Sequence, residues 1–241
     1  MANALTLPSD NPLAQMATNE TPEVPDSLAY VGFFSEKAAK ALDIQTALGR
    51  LANGDPYVQL SDGTYKKVTA VGLIGPSLRY WCKLDQDFRI SEATTSDPGR
   101  GSGLKEHVLL PMLAYTSDGV YPTMTTLRTS KTKILQDLAK GVKGATDDSL
   151  KGGGPIAKQL VKLPQALRVV GTIETMQKPC ASGYTCYVGR ANARLLSDTE
   201  LEFLANALVD QTFNEECAKV QTVYTKRSDM IKAVEAGAGD E

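Results

Sequence analysis

The sequence predicts an α+β protein: an antiparallel sheet or small β-barrel decorated by helices, with a long helix near the C-terminus. Three observations carry that expectation. Short apolar runs recur between turns rich in Gly, Asp and Ser, the pattern of hairpins. Two stretches, near 131–142 and 198–234, instead place their apolar residues at helical spacing. The 42% hydrophobic and 22% charged content is that of a chain with a packed core.

Taken in order, residues 1–27 are rich in Asn, Thr, Pro and Asp and lack a periodic apolar pattern, so they are expected to form a flexible arm. The core domain, 28–196, opens on the apolar run Leu28-Ala-Tyr-Val-Gly-Phe-Phe, a buried strand. Ser35 stands at an N-cap position, and the alanines and leucines beyond it predict a helix over 36–51. Asn53-Gly-Asp-Pro56 stops that helix by turn chemistry. A meander follows: Tyr57–Leu60, a turn at Ser61-Asp-Gly63, a longer strand from Thr64 to Ile74, then strands at 78–84 and 88–90. Residues 92–105 contain Pro98, Gly99, Gly101 and Gly103 with little to bury, a loop long enough to be mobile or functional.

A hairpin over His107–Tyr115 and Val120–Leu127 comes next, turning at Ser117-Asp-Gly119. The helix after Ser130 sets Ile134, Leu135, Leu138 and Val142 on one face. Residues 143–155 read as a linker, 156–163 as a short helix, and 166–176 with 184–194 as a second hairpin. Ser197 and Glu200 have capping-box spacing at the head of a helix over 197–234, beyond which 235–241 is an acidic tail.

The chemistry-bearing residues exclude more than they suggest. His107 is the sole histidine and begins an apolar strand, so a serine or cysteine triad has one possible base, and a structural role suits it better. Cys82, Cys180, Cys186 and Cys217 form no Cys-x-x-Cys pair, and no metal-ligand spacing is present. Cys180 and Cys186 have two readings, a bridge in an oxidising compartment or packing residues in a reducing one. The glycine runs at 99–103 and 152–154 lack the spacing of a phosphate loop. The expectation is therefore a protein without catalytic residues, cofactor or metal. The chain has no apolar run near the roughly 20 residues that cross a bilayer, and no basic-then-apolar start, which predicts a cytoplasmic location without membrane contact.

The formal net charge of −2 hides an uneven layout. Residues 1–30 hold four acids and no Lys or Arg, and 197–241 hold ten acids against four bases. Between them, 126–168 carry nine cations against three aspartates. Aromatic residues lie beside cations at several places: Tyr80-Trp81 between Arg79 and Lys83, Tyr115 and Tyr121 before Arg128, Tyr184 and Tyr187 before Arg190. Sequence-independent single-strand binders need cations for phosphates and rings on which bases stack, each stacked base contributing about 1–3 kcal/mol. On that basis Arg128, Lys131, Lys133, Arg190 and Arg194 are the expected phosphate contacts, and Trp81, Tyr121 and Tyr187 the expected stacking platforms. The competing expectation is that the rings belong to the core and the lysines to a solvated face.

The order of elements, a hairpin over 106–127, a helix, a hairpin over 166–194 and an acidic end, resembles the OB-fold, a small Greek-key barrel. It is similar to single-stranded-DNA-binding proteins of phage replication. Tyr30-Val-Gly-Phe-Phe-Ser35 and Gly72-Leu-Ile-Gly-Pro-Ser77 also resemble proteins of cyanobacteria and their mobile elements. The resemblance to the phage proteins implies non-catalytic binding of single-stranded nucleic acid, DNA by preference, through a basic aromatic-lined groove. It also implies replication or recombination proteins as further partners, while the long helix 198–234, with more apolar surface than one small barrel covers, predicts self-association. The alternative is a structural or assembly protein, virion- or scaffold-like, that self-associates through its arm and long helix.

Overall fold

In the computed structural model, the described residues are Asn11, Leu13 and the ranges 47–50, 56–60, 65–85, 90–128, 132–179 and 185–237. Ten strands form one sheet: β1 (Ala47–Arg50), β2 (Pro56–Gln59), β3 (Tyr65–Lys67), β4 (Ala70–Leu73), β5 (Leu78–Leu84), β6 (Ile90–Thr94), β7 (Lys105–Tyr115), β8 (Val120–Arg128), β9 (Val169–Pro179) and β10 (Thr185–Leu195). From Ala47 onward the helices among the described residues are α1 (Thr132–Gly144), α2 (Asp147–Leu150), α3 (Pro155–Leu160), α4 (Asp198–Leu208) and α5 (Gln211–Glu235), with a 3-10 turn at Gln165–Arg168. The strand order is β10-β9-β4-β7-β8-β1-β2-β3, with β5 and β6 attached beside the first half of β7. Every pairing is antiparallel except a single bridge, Ala47 to Met124, between β1 and β8.

β7 is the axis of the molecule. One of its edges pairs along its length with β8. The other is shared, Lys105–Leu109 with β5 and Met112–Tyr115 with β4. Pro111 falls at the changeover, opposite the break at Ile74–Ser77, and its carbonyl accepts from the Ile74 amide. A strand residue points its N–H and C=O to the same side, so the donor that proline lacks faces the break and no ladder bond is lost.

The run His107–Tyr115 is buried throughout because the sheet carries a core on each face. Val108, Leu110, Met112 and Ala114 meet Ile134, Leu135, Leu138 and Val142 of α1. The alternate residues Leu109, Leu113 and Tyr115 pack with Leu201, Leu204, Phe213, Cys217, Val220 and Ile231 of α4 and α5. Each such side chain contributes about 1.5–3 kcal/mol on burial. Helix α1 approaches β9 and β10 closely because the contact is built of small residues: a Cβ on Gly141 would stand 2.6 Å from that of Ala193.

Several expectations are corrected. Residues 47–50, placed in a helix over 36–51, form β1, because pairing with β2 outweighs local helix propensity. The rest of that helix and the strand at 28–34 lie outside the described residues; of the turn expected over 177–183, residues 177–179 instead end β9, paired with β10, and the others lie outside the described residues. The strand expected over 64–74 is broken at Val68-Thr69 into β3 and β4. The expected loop 92–105 begins only after Thr94, since β6 pairs with β5. Within the linker 143–155, Thr146 caps the one-turn helix α2.

The helix expected over 197–234 is two. Ser197 and Glu200 form the capping box of α4, and Asp210 starts α5 by accepting from the Thr212 and Phe213 amides. Asn11 and Leu13, in the segment expected to be a loose arm, are buried, with Asn11 Nδ2 donating to Asn214 Oδ1 at 3.0 Å. Glu235, assigned to the tail, is the last residue of α5. Of the two architectures expected, the open antiparallel sheet is observed; among the described residues no pairing joins β10 to β8 or β3 and closes a barrel.

Candidate nucleic-acid interface

The eight residues expected to bind nucleic acid meet different fates. Trp81 sits on β5 between Glu106 and Thr94, is 8% exposed, and has the Arg79 guanidinium 4.6 Å over its ring. Arg79 Nε in turn donates to Glu106 Oε1 at 2.6 Å. That ring is covered on its open face by a cation, so it is not a stacking platform. Tyr121 is half-buried on β8, where its hydroxyl accepts from Lys66 Nζ at 2.8 Å and the same ammonium lies 5.1 Å from its ring centre. Lys66 also pairs with Asp118 at 2.5 Å. The Asp118 carboxylate and the Tyr121 hydroxyl raise the ammonium's pKa, and Lys66 lowers that of Asp118.

Two expected phosphate contacts are already partnered. Lys133, in the first turn of α1, pairs with Asp137 one turn on. Arg194 donates to both oxygens of Glu200, at 2.6 and 2.8 Å. Burial works to raise the Glu200 carboxyl; the Arg194 guanidinium and the Ser197 groups outweigh it and hold the carboxyl below its usual range. Arg190 is exposed on β10, in register with Glu174, whose carboxylate is taken by Asn192. Arg128 ends β8 opposite His107, and Tyr187 lies on β10 opposite Gln177. Lys131 lies outside the described residues.

The strands that carry these residues stand apart in the sheet. Arg190 and Arg194 lie on β10, separated from β8 by β9, β4 and β7 in the sheet. What links the two ends is α1, which follows β8 and packs on β10. Asp137 Oδ2 accepts the Ala191 amide at 3.3 Å, so a helix carboxylate satisfies an edge N–H of the last strand.

The outward side of α1 holds cations that the residue-by-residue reading passed over. At 100° per residue, Lys133, Gln136, Lys140 and Lys143 fall on one side of the helix, opposite Leu135, Leu138 and Val142. Lys140 and Lys143 are exposed, and no carboxylate of the described residues pairs with either. Spacing of three, four and three between 133 and 143 was the signal available in the sequence.

A second group of cations surrounds the loop 95–104: Lys83 on β5, Arg100 in the loop and Lys105 at the start of β7. Gly99, Gly101 and Gly103 all have positive φ, a backbone that glycine adopts without strain. The root of this loop is held by the far end of α5. Glu235 accepts from the Thr94 hydroxyl, the Thr95 amide and the Thr95 hydroxyl at 2.8, 2.9 and 2.8 Å. The Thr95 amide, with both hydroxyls, lowers the pKa of the Glu235 carboxyl.

Among the described residues no group of three or more His, Cys, Asp and Glu is arranged to hold a metal, and no helix is long and apolar enough to cross a membrane. Cys82 and Cys217 are buried thiols; burial pushes the Cys217 thiol up to about 12, which keeps it protonated and unreactive near neutral pH. These features define a layered antiparallel-sheet protein with a basic helix along one side. Comparison with known proteins adds no relative: no protein-family model, no curated protein and no solved structure matches the chain.

Proposed function

We infer that the protein binds single-stranded nucleic acid, DNA by preference, through its phosphates and without catalysing a reaction. The observation that carries this reading is the lysine stripe of α1, where Lys140 and Lys143 stand exposed and no carboxylate of the described residues pairs with either. Unpaired cations on a rigid helix release condensed counterions when they meet phosphates, and that release drives sequence-independent binding.

Strand connectivity supports the choice of a single strand. With β4 and β5 counted together as a first strand, β7, β8, β9 and β10 follow as second to fifth. First pairs with second and fourth, second with third, fourth with fifth, and α1 lies between third and fourth. That order is similar to an OB-fold without its final closure, and OB-folds take oligonucleotides on the second and third strands and adjoining loops. Here α4 and α5 cover the Leu109–Tyr115 side of those strands. The interface is therefore drawn along the loop 95–104, the end of β8 at Arg128 and the α1 stripe. Arg190 is a further phosphate contact on this reading, and Trp81 is not part of it.

Fluorescence anisotropy of labelled single-stranded and duplex oligonucleotides, over a series of salt concentrations, tests the reading. Affinity should fall steeply with salt and favour single strands. A Lys140→Glu, Lys143→Glu double variant should flatten the slope of log affinity against log salt by about one for each lysine removed. An affinity undetectable at low salt, or a slope unchanged in the variant, refutes it.

A further inference from the structure

Two exposed apolar residues, Val161 and Val209, belong to surfaces of opposite charge. Val161 follows α3 and is 37% exposed, with Lys158 one turn before it and Lys162 beside it. Both lysines are exposed, and no carboxylate of the described residues pairs with either. The result is an apolar knob between two ammonium groups. Val209 stands 85% exposed at the corner between α4 and α5. Next to it, between that corner and the β7–β8 turn, opens a cleft of about 410 Å³. Its walls include Tyr121, Phe203 and Phe213, and its rim carries Asp118, Asp210 and Glu216. Lys66 pairs with Asp118 and Lys219 with Glu216, so three carboxylates face two ammonium groups and the rim stays negative.

Within one chain Val161 and its lysines do not line the cleft. Arg168 binds the Val161 carbonyl at 3.2 Å and its own carbonyl accepts from Leu196, which places the knob near the start of α4. The cleft is lined by Phe203, Asn206 and Ala207 in the C-terminal half of that 11-residue helix, beginning about 8 Å along its axis.

We propose that the cleft at the α4–α5 corner seats the Val161 knob of a second copy of this chain, so that copies join head to tail. Such a contact is heterologous and leaves an unfilled knob at one end and an unfilled cleft at the other, which permits further addition. Apolar contact supplies the attraction, and the lysines against the acidic rim select the orientation. The contact needs no nucleic acid and uses neither Lys140 nor Lys143, so it stands or falls separately from the function proposed above.

Sedimentation velocity of the full chain alone, over a range of concentrations at low and high salt, tests it. The wild type should associate progressively, and less so at high salt. Val161→Asp spoils only the knob and Asn206→Lys, on the cleft wall, only the cleft; both positions are exposed, and circular dichroism checks that each variant folds. Each alone should associate at least about tenfold more weakly than the wild type. Mixed, they should form a one-to-one dimer and nothing larger, because one sound knob meets one sound cleft. A wild type that stays monomeric, a variant that associates like the wild type, or a mixture that remains monomeric or grows beyond dimers overturns the proposal.

Discussion

Arg168 Nη1 lies 3.0 Å from the carbonyl oxygen of Ala145, 23 residues earlier, just past the end of α1. The same guanidinium donates to Leu163 at 2.9 Å and Val161 at 3.2 Å, and pairs with Asp147 at 2.5 Å. One buried side chain thus ties the ends of α1 and α3 together and satisfies carbonyls that helix ends leave without partners. Arg168→Ala should cost about 3 kcal/mol in urea denaturation, because three carbonyls lose their donor. Asp147→Asn should cost less than about 1 kcal/mol, since that carboxylate is largely exposed. Equal losses from the two variants would locate the effect in the ion pair instead.

Gly141→Ala sets two effects against each other. Helix propensity favours alanine by about 1 kcal/mol. The new methyl would stand 2.6 Å from Ala193 Cβ and 2.9 Å from Val169 Cγ1, and overpacking of that kind costs about 1–3 kcal/mol. Packing should win, lowering the melting temperature, and Ala193→Gly in the same chain should recover part of the loss. A melting temperature raised by Gly141→Ala would show that α1 can shift away from the sheet.

Glu200 makes stability depend on acid. Its carboxyl titrates lower in the folded protein than in the unfolded chain, so its contribution is complete above the unfolded value of about 4.3. That contribution is lost as pH falls through the lower, folded value. Glu200→Gln should lose about 1 kcal/mol at neutral pH, a figure reduced for the half-exposed Arg194 partner. Below the folded value, denaturation midpoints of variant and wild type should converge; a constant difference across pH would deny the ionic part.

Glu235 should act on one loop. Glu235→Gln weakens the three bonds to Thr94 and Thr95, so amide exchange at Thr95 and Ser96 should quicken while β7 amides are unaffected. The wild type should show the same quickening in acid, as the carboxylate protonates below its usual range. Exchange unchanged at Thr95 would mean the loop root is held by β6 alone.

Trp81 is the single tryptophan, which makes its burial easy to read. Its emission should be blue-shifted, resist iodide quenching, and lack the strong quenching by oligonucleotides that a stacked base produces. Arg79→Ala should raise its accessibility by removing the cation above the ring. Strong oligonucleotide quenching in the wild type would return Trp81 to the binding surface.

Elements whose signal is local were legible in the sequence. The Ser197–Glu200 capping box, the apolar face of α1 and the hairpin of β7 and β8 all follow from spacing within a few residues. Long-range pairing was not legible. Ala47–Arg50 sit in an alanine-rich context that favours helix, yet they pair with Pro56–Gln59 as β1. Asp210 looked like one more polar residue on a continuous helix, and its side chain instead divides α4 from α5.

The candidate site divides in the same way. Composition alone determined that 126–168 is basic between acidic ends, and that the chain holds one histidine and four cysteines. Which cations keep a carboxylate was decided by the fold: Lys133 and Arg194 found Asp137 and Glu200, while Lys140, Lys143, Lys158 and Lys162 found none among the described residues. A charge count follows from composition, and periodicity follows from the repeat of helix or strand. Pairing is a matter of distances across the folded chain, over which coulombic and hydrogen-bond energies change within a few ångströms.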